Sequence, residues 1–207
     1  MASYGSTTYT DPDDYRSNVP GAVVDLVLTN RQAFEARVTW IKMRHIALVA
    51  IEEAAARTAV VSWAAPGLFL SFPLRGEPIW NGRRLRRGDF LLQGRGACLH
   101  QITETSTHWG VIAIARQDLA AYSRTLLGVA LKRTCIGPVL RPRGKSANAL
   151  LRLHAQACRL AATKPDIMAH REVARALEDD LIVALVAAIA DCQARSATPR
   201  RTSAESA

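Results

Sequence analysis

Apolar and polar positions follow two regimes along the chain. Between residues 23 and 115 the apolar runs are short: 24–28, 34–41, 46–51, 59–63, 68–74, 78–80, 90–92, 98–102 and 109–115. Runs of this length, several of them bounded by turn formers, predict β-strands. Phe34, Ala36, Val38 and Trp40 alternate with Glu35, Arg37 and Thr39, the period of a half-buried strand. Ile79-Trp80-Asn81-Gly82-Arg83 predicts a two-residue hairpin, because a type I′ turn needs positive φ at both central positions and Asn-Gly accepts it. Further turns are expected at Arg87-Gly88-Asp89 and Gln93-Gly94-Arg95-Gly96. This spacing predicts a sandwich or closed barrel rather than alternating strands and helices.

From Gln117 the period lengthens. Residues 118–127 read as a short helix stopped at Gly128, and 131–144, with Pro138 and Pro142, as a linker. Ser146 is the expected N-cap of a helix to about residue 163, with Leu150, Leu151, Leu153, Ala157, Leu160 and Ala161 on its apolar face. Lys164-Pro165-Asp166 breaks it, and a longer helix is predicted over 170–194. Glu172, Glu178, Asp179 and Asp180 crowd that helix's first half, where they complement its dipole. The short break predicts an antiparallel helical pair. Residues 181–190 are apolar all round, so they call for cover from a second subunit or from the barrel. The organisation expected is a frayed tail at 1–22, a β-barrel at 23–116, a helical dimerisation region at 117–194 and a disordered tail at 195–207.

Composition agrees with a globular protein: 207 residues, 49% hydrophobic, with a mean hydropathy of +0.01. No apolar run is long enough for a bilayer, and the first residues lack a signal core, which predicts a cytoplasmic protein without membrane contact. Cys98, Cys135, Cys158 and Cys192 form neither a CxxC pair nor a zinc spacing, and read as free thiols. The net charge of +9 is uneven: residues 119–165 hold nine basic residues and no Asp or Glu, and thus carry the whole excess. Such a segment is either a solvated face or a stripe that steers toward phosphate or an acidic partner.

Catalytic patterns are missing. His45, His108, His154 and His170 fall in separate predicted elements with no HxH or HExxH spacing. Gln93-Gly94-Arg95-Gly96 is not a phosphate loop, and Ser62, Ser71 and Ser106 sit in no GxSxG elbow. Cys98 and His100 share one side of a strand, where a nucleophile and base could meet, but no third group orients them; core packing is the expected role.

Leu70-Ser71-Phe72-Pro73-Leu74, Trp80-Asn81-Gly82, Leu85-Arg86-Arg87-Gly88-Asp89, Gly94-Arg95-Gly96, His100 and Trp109-Gly110, in that order, resemble the N-terminal cupin-like domain of AraC/XylS-type transcription regulators. Leu150-Leu151-Arg152-Leu153-His154 and Ala174-Arg175-Ala176-Leu177-Glu178 look like the helices that follow that barrel. The resemblance spans about 23–194 and implies an α+β fold, a cupin-like antiparallel β-barrel followed by an antiparallel helical pair. It also implies a small-molecule effector in the barrel and a homodimer through the helices. The family's DNA-reading helix-turn-helix pair is not recognisable here. Thirteen residues follow Ala194, too few for such a unit, so DNA contact is expected only indirectly.

Metal-binding cupins hold their ion with two His and a Glu from one strand pair and a later His. His100 falls near the later position, but the earlier pair has no counterpart in residues 63–75, so neither metal nor cofactor is expected. An effector pocket should be apolar with a few polar groups, and all four tryptophans lie in the β region. Trp40, Trp63, Phe72, Trp80, His100 and Trp109 are the candidate ligand contacts. Arg83, Arg84, Arg86 and Arg87 read as charges that protect a strand edge. The function expected is effector sensing and dimerisation without catalysis. The alternatives are a cupin-fold enzyme with an atypical site and a nonspecific nucleic-acid binder using the basic 119–165 segment.

Overall fold

A computed structural model describes residues 2–128, 131, 137, 139–142 and 145–196 of the chain. The described residues form three layers: a five-stranded sheet, a seven-stranded sheet and a layer of helices. The seven-stranded sheet runs β1 (Ser3–Tyr9), β3 (Ala36–Lys42), β4 (Ile46–Glu53), β11 (Thr107–Ile114), β6 (Leu68–Arg75), β9 (Phe90–Gly94), β12 (Val139–Leu140). The five-stranded sheet runs β2 (Ala22–Leu28), β5 (Arg57–Trp63), β10 (Cys98–Thr103), β7 (Ile79–Trp80), β8 (Arg83–Arg84). All strand pairs are antiparallel. The sheets do not close into one hydrogen-bonded ring, so the expected closed barrel is a cupin-like cup made of two open sheets.

The two strand regimes follow from burial. The seven-stranded sheet is covered on both faces, by the other sheet and by the helices, so β6 and β4 read as near-continuous apolar runs. The five-stranded sheet is covered on one face only, and β10 alternates strictly: Leu99, Gln101 and Thr103 inward, Cys98, His100 and Ile102 outward. Asn81 and Gly82 have φ of 49° and 73°, as the type I′ turn requires.

The first 22 residues are not a frayed tail. β1 pairs along β3 from Ser3↔Lys42 to Tyr9↔Ala36. Gly5 lies against the Trp40 ring, where a Cβ would stand 3.0 Å from three ring atoms. Helix α1 (Pro12–Asn18) follows, with Asp11 as N-cap accepting from Asp13 N and proline in the first turn. Polar composition disguised this segment, but Thr and Tyr are good strand formers on an exposed edge.

Helix α2 (Arg116–Leu127) ends at Gly128, φ 72°, as expected. Helix α3 (Lys145–Thr163) begins one residue before Ser146, so Ser146 is not its N-cap; its hydroxyl donates to Asp191 instead. The expected break contains a short helix, α4 (Pro165–Ala169), and α5 spans Arg171–Ser196. In the first half of α5, Glu178 is buried and accepts from His45 N (2.6 Å) and Ile46 N (3.3 Å), pinning the β3–β4 turn to the helix layer. Leu181, Ile182, Leu185, Val186 and Ile189 are buried within the chain, and Val183 is the exposed residue of that stretch. The extra cover for residues 181–190 is thus intramolecular. The expected disorder of 195–207 and most of the 131–144 linker, Cys135 included, lie outside the described residues. No described helix is long and apolar enough to cross a membrane.

Candidate functional site

The space between the sheets is the cup, and strand alternation decides who enters it. Trp63, Trp80 and Trp109 point inward and are fully buried; Trp40 is half-buried at the edge of the same cluster. Trp80 and Trp109 meet edge to face at 6.0 Å, and Trp63 stacks on Phe69 at 4.5 Å. Trp63 Nε1 donates to Gln93 Oε1 at 3.1 Å, which satisfies a buried indole.

Two of the candidate contacts face elsewhere. Phe72 lies on the opposite side of the seven-stranded sheet, packed on Phe90 and on His154 of α3. His100 is exposed on the outer face of the five-stranded sheet. A side-chain period of two means that one step in register exchanges inside for outside, so Gln101 enters the cup and His100 does not. Cys98 is likewise exposed, not core, and contacts Ser62 Oγ at 3.3 Å.

Sequence reasoning missed the polar heart of the cup. The chain crosses from the larger sheet to the smaller one between Glu53, the last residue of β4, and Arg57, the first of β5. Both side chains are buried. Arg57 Nε donates to Glu53 Oε1 at 2.8 Å and Arg57 Nη2 to Glu53 Oε2 at 2.5 Å, a bidentate pair. Tyr15 of α1 drops its hydroxyl onto Glu53 Oε1 at 2.7 Å, and Trp109 Nε1 donates to Oε2 at 3.2 Å. Arg57 Nη2 also reaches Gln101 Oε1 at 2.6 Å. Gln101 pairs in register with Trp80, which places this cluster beside the two edge-on indoles.

The electrostatics keep these protonation states fixed. Burial, then the Glu53 charge, raises the Tyr15 pKa well above the ordinary phenol value, so Tyr15 remains a donor. Burial opposes the Arg57 charge, but Glu53 and then Tyr15 outweigh it and hold its pKa above the usual value. Arg57 Nη1, Gln101 Nε2 and the Ser71 hydroxyl are buried without a hydrogen-bond partner among the described residues. The two nitrogens, on side chains already joined by the Arg57–Gln101 hydrogen bond, are donors suited to acceptor oxygens. A charged residue at an inward strand position (Glu53 continues the Val49, Ile51 face) was the available signal.

Two surface concavities lie outside the cup. One, of about 740 Å³, is lined by residues of both signs, among them Arg44, His45, Tyr122, Arg171 and Asp179. The other, of about 590 Å³, lies along α3. Among the described residues no group of three or more His, Cys, Asp or Glu is arranged to hold a metal ion.

Two antiparallel sheets enclosing a cup, backed by helices, define an α+β protein of cupin-like fold. Among solved structures, the chain is similar to the AraC-like transcriptional activator CuxR, with a TM-score of 0.59 at 17% identity, covering 91% of this chain and 70% of that one. The resemblance to AraC-like regulators is therefore shown at the level of fold. The EutQ protein of Clostridium difficile also matches, over 44% of this chain and 76% of its own, with 11% identity and a TM-score of 0.31. No family model matches the chain, and no curated protein matches it.

Proposed function

We propose that the protein is a non-catalytic, effector-sensing and dimerising component of the kind found in AraC-like regulators, with the cup as its sensor. The observation that carries this reading is the pair of buried donors without a partner among the described residues, Arg57 Nη1 and Gln101 Nε2, beside Trp80 and Trp109. The effector class that matches is a small molecule with carboxylate or hydroxyl oxygens and an apolar body. Tyr15 is fully buried on Glu53, so α1 covers this end of the cup. Any action on transcription then runs through a partner copy or a DNA-binding half, with the likeness to CuxR as support for the regulatory role.

A thermal-shift screen against small carboxylates and polyols tests the sensor. A ligand that binds only the native state raises Tm, and replacing Gln101 by leucine should abolish that rise. A panel without a hit, or hits indifferent to Gln101→Leu, refutes it. Dimerisation is tested separately by sedimentation, where a monomer at all concentrations removes that part. Sequence-specific DNA binding by this chain alone would contradict an indirect role.

A further inference from the structure

The outward face of α3 runs through Asn148, Arg152, Ala155, Gln156 and Arg159, opposite the buried stripe of Ala147, Leu150, Leu151, His154, Cys158 and Ala161. This outward face floors the concavity of about 590 Å³, and Arg87, from the turn after β8, forms its wall. The lining thus offers three guanidinium groups and two amides, with no carboxylate among the described lining residues. Neighbouring acids are directed elsewhere. Asp89 Oδ1 accepts from Arg141 and Oδ2 from Arg86 N, while Glu77 lies 3.9 Å from Arg86 and Glu104 lies 3.8 Å from Arg84. Of the four hairpin arginines, Arg87 is the one that lines the groove.

Three like charges lining one concavity repel one another, and an anion there relieves that repulsion. Guanidinium forks match phosphate oxygens two at a time. Arg152 and Arg159 are separated by seven residues, about 10.5 Å along the helix axis, which is too far for one phosphate to span in comfort. The groove therefore favours a ligand with several linked phosphates. Among the described lining residues none is aromatic, so they offer a nucleobase no stacking surface.

We propose that this groove is a second ligand site, distinct from the cup, for small molecules bearing two or more linked phosphates, recognised through the phosphates alone. It is independent of the cup's role as a sensor. The site lies on the solvent side of the same helix whose inner side carries His154 against the sheet, so occupancy bears on the helix layer rather than on the cup.

Isothermal titration of the full chain with inorganic tripolyphosphate, then with ADP, GDP and CDP, tests it. Tripolyphosphate should bind, and the three diphosphates should bind within about threefold of one another, since discrimination by base needs contacts the groove lacks. Arg152→Ala and Arg159→Ala should each weaken tripolyphosphate by about fivefold or more, as expected for loss of a charge-assisted contact. Arg87→Ala, on a different element, should do the same, and unchanged melting temperatures verify the fold of each variant. Arg124→Ala removes the same charge from α2, away from the groove, and should leave affinity unchanged. No binding, an equal loss with Arg124→Ala, a strong preference for one base, or displacement of tripolyphosphate by DNA at lower concentration would overturn the proposal.

Discussion

Replacing Glu53 by alanine strips the acceptor from Tyr15 Oη, Trp109 Nε1 and two nitrogens of Arg57 at once. The guanidinium, 1% exposed, then keeps Gln101 Oε1 as its remaining side-chain acceptor. Leaving one member of a buried ion pair uncompensated costs about 3–5 kcal/mol. The freed Tyr15 and Trp109 donors push the total toward the upper end. Against a typical domain stability of about 5–15 kcal/mol, that loss is easily measured. Urea unfolding followed by tryptophan fluorescence gives the free energies, since Trp63, Trp80 and Trp109 all sit in the cup. A double-mutant cycle separates the pair from its surroundings. Glu53→Ala/Arg57→Ala should be less destabilised than the sum of the single variants by about 2 kcal/mol or more. A Glu53→Ala cost below about 1 kcal/mol, or strict additivity, would refute the view that a dry, mutually dependent ion pair anchors the cup.

Acid should act through His154. Burial lowers its pKa to about 4, from the ordinary value of 6.5. Between those values the unfolded chain binds a proton that the folded chain refuses, so stability falls as pH drops from 6.5 towards 4, by roughly 3 kcal/mol in all. His154→Gln should flatten that slope in urea midpoints taken across the window, and an unchanged slope would assign it to other groups. Gly110→Ala should destabilise by about 1–3 kcal/mol, because the new Cβ would stand 2.6 Å from Phe72 and 2.7 Å from His154, both buried rings. A neutral melting temperature there would show that α3 can lift from the sheet without cost. Cys158 is buried with its thiol pushed up to about 12, whereas Cys98 is exposed. A thiol reagent at neutral pH should therefore modify Cys98 first and Cys158 only on unfolding, as peptide mass mapping would reveal.

Much of the architecture was readable from residues alone, and the failures share a cause. The apolar runs located β2 to β7 and β9 to β11 because each strand buries at least one face, and Asn81-Gly82 fixed its hairpin through backbone sterics. β1 escaped notice because an edge strand with an exposed face carries no apolar signature. Phe72 and His100 were misplaced because periodicity gives alternation but not its sign. The polar cluster was missed for another reason: apart from Trp109 and the inward position of Glu53, its members look like ordinary surface or core residues until packing joins Tyr15, the Glu53–Arg57 corner, Gln101 and Trp109.

The local chemistry of the chain determined where strands, turns and helices form, since those depend on neighbours a few residues away. Tertiary structure decided which strand faces look into the cup, that the N-terminal segment closes it, and that residues 181–190 find their cover within one chain. Those outcomes rest on contacts between residues far apart in sequence, whose free energy exists only once the layers are assembled.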